Sequence, residues 1–177
     1  RHIRDGASLE KLFAFCQTSS NPVENMQWLI NWQLFNLMIS NYDSHGKNVS
    51  FYFDKNSSQF TPAYDLVNVS MFEQFKHVLA MGMGDEFEPD SINAYQLADF
   101  AETCQIDKKL LMRSLLRLAN KVTQALASLT FIDDVFADKS ALFDEKDRIY
   151  AQSLIVNITT RVEHLIAQAS DIATIEV

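Results

Sequence analysis

Glycine is scarce in this chain, and so are cysteine and basic charge. Only four glycines occur, at positions 6, 46, 82 and 84, and they are too few and too scattered for a glycine-rich phosphate-binding loop. The short segment Gly82-Met83-Gly84 lacks a third glycine and a flanking strand and helix. We therefore interpret it as a turn and expect no phosphate-binding loop of that type in this chain.

The two cysteines, Cys16 and Cys104, lack the short spacing of a metal site. We expect two buried, reduced thiols and a cytoplasmic protein. No apolar run is long enough to span a bilayer, and the first residues lead into no signal-peptide core. The net charge of −8 argues against direct binding to nucleic acid or an anionic membrane, which needs clustered Lys and Arg.

The pattern of apolar residues predicts a mainly helical domain. The 177 residues, 47% of them hydrophobic, suffice for one sizeable core. Residues 8–17 predict a short helix, and Asn21 and Pro22 are typical of the start of a longer one that runs to about residue 40. Because the longer helix is apolar on two sides, we expect it at the centre of the core. One stripe holds Val23, Met26, Ile30, Leu34, Leu37 and Met38, and the other holds Trp28, Trp32, Phe35 and Ile39.

A β-hairpin is predicted next, followed by more helices. Residues 49–53 are alternating and aromatic, as in a strand, and residues 59–61 begin its return strand. From residue 92 onward the pattern is helical, with one helix capped by Asp107, a connection over residues 131–143 and a final helix over about residues 145–173. The apolar residues of the final helix recur at the spacing of core packing: Ile149, Leu154, Ile158, Val162, Leu165 and Ile166. We expect one mainly α domain with a small hairpin, in which residues 1–90 carry the site and residues 91–177 form a helical subdomain.

Three oxygen-bearing side chains follow the central helix at the spacing of a kinase catalytic loop. Asp43 is followed by four residues and then Asn48, as a catalytic Asp precedes a magnesium-binding Asn in protein kinases. Asp65 lies across the predicted hairpin, which should return it to Asn48. Asp43 is therefore the candidate base, and Asn48 and Asp65 are candidate ligands of a Mg²⁺ ion that bridges the phosphates of ATP.

Other interpretations of this loop stay open. Lys47 is a candidate for balancing phosphate charge and His45 for orienting Asp43 or the loop backbone, but a structural or solvent-facing role fits either residue at least as well. Asn, Asp, Ser and Gly are also turn formers, so the loop by itself could be a plain connection. A metal-dependent hydrolase or nuclease that uses Asp43, His45 and Asp65 is disfavoured, because the chain is acidic and His45 is the single nitrogen ligand nearby.

Two segments resemble the HipA-type serine/threonine kinases. Residues 35–51 are similar to a pattern that reads Phe-Asn, an apolar pair, Gly-Asn and then Asp-x-His-x-Lys-Asn, and residues 61–66 are similar to Pro-x-Tyr-Asp-Leu. Looser likeness at residues 5–9 and 79–84 extends the resemblance over roughly residues 1–130. Ser40 stands where the family has glycine. Leu66 and Val67 differ from the Phe-Gly that follows the metal-binding Asp of ordinary protein kinases.

The resemblance implies a kinase-like C-lobe that transfers the γ-phosphate of ATP to a protein hydroxyl with Mg²⁺, in a bacterial toxin–antitoxin system. It implies Asp43 as base and Asn48 and Asp65 as metal ligands. Family members act on aminoacyl-tRNA synthetases and are restrained by a DNA-binding antitoxin, so a HipB-like antitoxin is an expected partner.

Two features of a complete kinase are not found upstream of Asp43, a phosphate-covering loop and a strand lysine. We therefore expect the N-lobe to be absent from this chain, and the chain alone to bind ATP weakly and transfer phosphate poorly. The alternative is a degenerate, non-enzymatic lobe that binds a protein partner through its helical surface.

Overall fold

The computed structural model describes residues 6–54, 57–72, 74, 76–129 and 144–177. Within these ranges it contains five α-helices and one two-stranded antiparallel sheet, which confirms the predicted mainly helical fold with a small hairpin. In chain order the elements are α1 (Leu9–Thr18), α2 (Pro22–Met38), β1 (Phe51–Asp54), β2 (Ser57–Phe60), α3 (Ala94–Thr103), α4 (Lys108–Ala127) and α5 (Glu145–Ile172). The predicted connection over residues 131–143 lies outside the described residues.

Two helices begin next to their predicted capping residues, but only one of these two side chains makes a capping hydrogen bond. The side chain of Asp107 accepts a hydrogen bond of 2.7 Å from the N–H of Leu110 and caps α4, as predicted. Asn21 occupies the same position before α2, but its side chain makes no capping hydrogen bond. Pro22 occupies the first turn of α2, where its fixed φ suits the helix.

Helix α2 lies at the centre of the core, as its two apolar stripes predict. It packs against α1, α4 and α5 and also contacts β2, so the first and last parts of the chain share one core. Its enclosure extends to polar residues, since Asn25, Gln33 and Asn36 are buried as well. The prediction was wrong for Val23, which is 80% exposed, because the burial of α2 begins only at Asn25.

Aromatic contacts fix the hairpin to α2. Strands β1 and β2 pair with Phe51 opposite Phe60, and the two ring centres are 4.3 Å apart. Phe60 also stacks on Trp28 of α2, with 4.2 Å between the ring centres and 6° between the planes. The hairpin is thus held on the core by the burial of these aromatic rings, each of which removes a large apolar area from water.

Helices α4 and α5 pack against each other and cover α2. The buried apolar side of α5 is a regular stripe near its C-terminus, formed by Val162, Leu165, Ala169 and Ile172. Ile166 falls beside this stripe and Ile149 lies ahead of it, so these two are 40% and 55% exposed, and their predicted burial was wrong. In the described parts of the chain, no helix is both long and apolar enough to cross a membrane.

Both cysteines are free and buried, which makes them unreactive in the folded protein. Burial raises the pKa of the Cys16 thiol from 9.0 to about 11. Burial, with the nearby charges of Glu10 and Asp99, raises the pKa of Cys104 from 9.0 to about 12. Because the thiolate is the reactive form, we expect Ellman's reagent at pH 8 to modify neither thiol until the protein is unfolded in urea.

These thiols also make the free energy of unfolding depend on pH in the alkaline range. Unfolded thiols ionise near pH 9.0, whereas the folded ones ionise at about 11 and about 12. Their contribution is therefore complete below pH 9 and is lost as the pH rises through the folded pKa values. In the reagent test above, rapid modification of either thiol in the native protein at pH 8 would show that the thiol is neither buried nor protonated.

Candidate active site

The chain leaves α2 through a residue in the left-handed conformation. Ser40 has a φ of 55°, which glycine adopts freely but which costs other residues about 1–2 kcal/mol. Its N–H donates to the carbonyl of Leu37 at 3.3 Å, and its own carbonyl accepts from the N–H of Val69 at 3.2 Å. The helix therefore ends at Met38 rather than near residue 40, and serine occupies the position where glycine is usual in the resembling family.

Asp43 faces outward from a loop that is anchored on both sides. Tyr42 is 6% and Ser44 4% exposed, whereas Asp43 between them is exposed. The carbonyl of Tyr42 is also held by the N–H of Ala80 at 2.9 Å. Asp43 can therefore be reached from solvent while its backbone stays fixed. It opens into a cleft of about 470 Å³ that is also lined by Tyr42, Val69, Phe72, Lys76, His77, Val78, Leu79 and Ala80.

A short 3-10 turn, Gly46–Asn48, directs the side chain of Asn48 toward Asp65. The N–H of Asn48 donates to the carbonyl of His45 at 2.9 Å, and the N–H of His45 donates to Asn48 Oδ1 at 3.0 Å. These bonds orient the amide, whose Nδ2 donates to Asp65 Oδ2 at 2.5 Å. The structure thus brings Asn48 and Asp65 together across the hairpin, as expected. What the pair binds stays a prediction.

Asp65 is itself in the left-handed conformation, with a φ of 56°. Its carbonyl accepts a hydrogen bond of 2.9 Å from Asn41 Nδ2. The same Nδ2 donates to Asn36 Oδ1 at 2.8 Å, and Asn36 Nδ2 donates to the carbonyl of Trp32 at 2.9 Å. Two buried asparagines therefore connect α2 to the backbone of an exposed carboxylate.

The other two predicted residues lie on the same loop. The backbone N–H of His45, whose side chain is half-buried, also donates to the carbonyl of Asp43 at 2.8 Å. The Lys47 side chain is exposed, and its carbonyl accepts from the Tyr64 hydroxyl at 2.7 Å. Tyr64 directly precedes Asp65, so this bond also holds the two segments together. The chemical roles of His45 and Lys47 stay predictions.

The pair of Asn48 and Asp65 has donor chemistry that suits Mg²⁺. Both side chains offer hard oxygens, and Asn48 Oδ1 keeps a lone pair beyond the one that accepts from His45. Within the described ranges, no three His, Cys, Asp or Glu side chains converge on one point. Mg²⁺ needs no such cage, since it binds through one or two carboxylates while phosphate and water oxygens complete the octahedron.

A buried arginine of α5 packs against the loop that carries Asp43. Arg161 is 9% exposed, and its guanidinium lies 5.9 Å from the centre of the Tyr42 ring. It donates to the carbonyl of Pro89, and its Nη1 lies 3.7 Å from Asp90 Oδ1. Because Asp90 is fully exposed, that ion pair is screened and contributes little. Arg161 therefore joins α5 both to Tyr42, the residue before Asp43, and to the backbone of Pro89.

Sequence reasoning did not assign roles to Asn36, Asn41, Tyr64 or Arg161. The asparagines did carry a signal, because an amide within or next to an apolar helix needs hydrogen-bond partners when it is buried. Nothing in the local sequence around Arg161 indicates its contact with Tyr42, since the two residues are distant in the chain and meet only through the packing of α5.

Comparison with known proteins identifies relatives of the whole described fold. A profile of the HipA-like C-terminal domain matches residues 1–127. The serine/threonine-protein kinase toxin HipA of Shewanella oneidensis is 35% identical over 177 residues, which cover 100% of this chain and 39% of that protein.

A solved structure shares the fold as well. It holds HipA of Shewanella oneidensis MR-1 with HipB and operator DNA, and it superposes with a TM-score of 0.88 at 35% identity. The match covers 97% of this chain and 39% of that chain. The sequence in hand therefore spans about two fifths of the length of these relatives.

The left-handed conformation of Ser40 predicts that Ser40→Gly stabilises the fold. Relief of about 1–2 kcal/mol of backbone strain is partly offset by the greater freedom of glycine in the unfolded chain, which costs about 0.4–1 kcal/mol. We expect a net gain of about 0.5–1 kcal/mol in the free energy of unfolding, measured by urea denaturation. Ser40→Ala keeps the Cβ atom and should show no gain; equal effects of both variants would refute the strain at Ser40.

The loop also packs tightly against the segment before α1. A Cβ atom on Gly46 would overlap the Cβ of Ala7, so Gly46→Ala should lower the free energy of unfolding by about 1–3 kcal/mol. Ala7→Gly in the same chain removes the overlap and should restore most of that loss. A double-mutant cycle by chemical denaturation measures the coupling. If Gly46→Ala costs as much in the Ala7→Gly background as in the wild type, the contact is not what excludes a side chain.

Proposed function

The chain belongs to the family of HipA-like C-terminal domains, and on that premise we propose that it forms the magnesium-binding and acceptor-orienting side of a serine/threonine kinase site. The proposed reaction transfers the γ-phosphate of ATP to a hydroxyl group of a protein substrate. The observation that carries the proposal is the direct contact between Asn48 and Asp65, with Asp43 facing outward on the same loop.

Asp43 is proposed to orient the acceptor hydroxyl and to accept its proton. Asp43 is exposed and lines the cleft, so the side chain of another protein can reach it. Its backbone is fixed by its buried neighbours Tyr42 and Ser44. Positioning of this kind supplies much of the catalysis in phosphoryl transfer, because the protein has little covalent chemistry to perform.

Asn48 and Asp65 are proposed to hold Mg²⁺ together with the phosphates of ATP. The bound ion supplies charge neutralisation to the phosphate oxygens. Lys47, exposed on the same loop, is proposed to add positive charge near the transferred phosphate. His45 is proposed to hold the loop, through the bonds of its N–H to Asp43 and Asn48.

The partners follow from the same proposal. In the kinase template, a phosphate-covering loop and a strand lysine of an N-terminal lobe complete the nucleotide site, and we propose that such a lobe completes this one. The similar solved structure holds HipA with HipB and operator DNA. A HipB-like antitoxin is therefore the proposed protein partner, and a toxin–antitoxin system the proposed setting.

Two substitutions in the full-length protein separate catalysis from metal binding. Asp43→Asn should lower the rate of phosphate transfer from labelled ATP by about 100-fold or more, because it removes the base. It should leave the affinity for Mg²⁺ with a non-hydrolysable ATP analogue nearly unchanged in calorimetry. Asp65→Asn should weaken that affinity as well as transfer, because it removes a charged ligand.

An exposed aspartate that does not line the cleft of Asp43 provides the control. Asp85→Asn removes the same charge and should change neither transfer nor nucleotide affinity. Full activity of Asp43→Asn would exclude Asp43 as the base. No Mg²⁺-dependent nucleotide binding by the wild-type full-length protein would instead favour the non-enzymatic lobe that binds a protein partner.

A further inference from the structure

The carboxylate of Asp65 is presented from a backbone conformation that needs support. Asp65 is exposed, so packing around its side chain does little to hold it, and its φ of 56° lies in the region that favours glycine. Non-glycine residues persist in this region when the surrounding structure determines their conformation. The contacts that hold the backbone of Asp65 therefore help to set the position of its carboxylate.

Asn41 supplies that support through its amide group. Its Nδ2 donates both to the carbonyl of Asp65 at 2.9 Å and to Asn36 Oδ1 at 2.8 Å. Its backbone N–H also donates to the carbonyl of Asn36 at 2.8 Å. Asn41 is 4% and Asn36 1% exposed, so water cannot replace these bonds, and α2 fixes the direction of the amide.

The bond to the carbonyl of Asp65 restrains the backbone from which its carboxylate projects. The orientation of this carbonyl relative to the Cα atom is set by the ψ angle of Asp65, so holding the carbonyl fixes ψ. This bond holds the backbone of Asp65, while the bond from Asn48 Nδ2 to Oδ2 at 2.5 Å holds the carboxylate itself. The two proposed ligand residues are therefore brought into contact by hydrogen bonds of the protein.

We propose that Asn41 is a positioning residue that assembles the metal site through the backbone of Asp65. The inference rests on the proposed function, in which Asp65 is a ligand of Mg²⁺. Partners that orient metal ligands in this way typically change metal affinity by about 10–100-fold when they are removed. Loss of Asn41 should therefore weaken Mg²⁺ binding in addition to any loss of stability.

Asn25 provides a closely matched control. It is 1% exposed, and its Nδ2 also donates two hydrogen bonds, to Ser19 Oγ at 2.8 Å and to the carbonyl of Ser58 at 3.0 Å. It thus resembles Asn41 in residue type, burial and number of bonds, but it joins α2 to the strand β2 rather than to Asp65. Removing it tests the general cost of losing a buried asparagine.

The experiment titrates Mg²⁺ into the full-length protein saturated with a non-hydrolysable ATP analogue, by calorimetry. Asn41→Ala should raise the Kd of Mg²⁺ by about 10-fold, whereas Asn25→Ala should change it by less than about twofold. Both variants should lower the Tm. In transfer assays, Asn41→Ala should raise the Mg²⁺ concentration for half-maximal rate more than it lowers kcat.

Each outcome decides between the proposals. An unchanged Kd in Asn41→Ala, or an equal rise in Asn25→Ala, overturns the role of Asn41. If Asn41→Ala does not fold, Asn36→Ala replaces it, since it removes the acceptor that orients the amide, and an unchanged Kd then overturns the inference. Asp65→Asn separates a failure of the positioning role from a failure of the proposed function. If Asp65→Asn binds Mg²⁺ with wild-type affinity, the proposed function itself is refuted. If Asp65→Asn loses affinity but Asn41→Ala does not, only the positioning role of Asn41 is refuted.

Discussion

The hydrogen bond from Asn48 Nδ2 to Asp65 Oδ2 is the interaction on which the candidate site depends. It joins two loop segments on either side of the hairpin, and each end is held separately. A 3-10 turn with two bonds to His45 orients the amide of Asn48, and Asn41 holds the backbone of Asp65. Because both ends are fixed by protein contacts, the fold presents the neutral amide of Asn48 beside the carboxylate of Asp65, which is the single negative charge of the pair.

Apolar packing determines where the hairpin returns the chain, and so it determines this bond. Phe60 stacks on Trp28 and contacts Phe51, which attaches the hairpin to the central helix. Helix α2 is in turn enclosed by α1, α4 and α5. The large buried aromatic area makes this attachment strong without directional hydrogen bonds. The short polar contacts of the loop then select the final geometry, since they are directional.

Local signals predicted the parts of the structure that local chemistry controls. Asp107 as a cap, the hairpin with its aromatic strands and the return of Asp65 to Asn48 were all readable, because each depends on nearby residues or on one short connection. The bond from Asn41 to Asp65 and the packing of Arg161 on Tyr42 need the tertiary arrangement of several elements. Helical periodicity likewise predicts which side of α2 or α5 is apolar. It does not predict how far along each helix the elements packed against it extend, and Val23 and Ile149 are exposed for this reason.

The two left-handed residues of the site are linked to each other. Ser40 accepts from the N–H of Val69, and the next residue, Asn41, donates to the carbonyl of Asp65, so the exit of α2 and the segment from Asp65 to Val69 hold one another. The strain at the two positions differs in its origin. At Ser40 glycine would supply the same backbone without strain, whereas at Asp65 glycine would remove the carboxylate. A site that needs this carboxylate must therefore keep the strain at Asp65, and the buried asparagines next to it are the means by which the fold holds it.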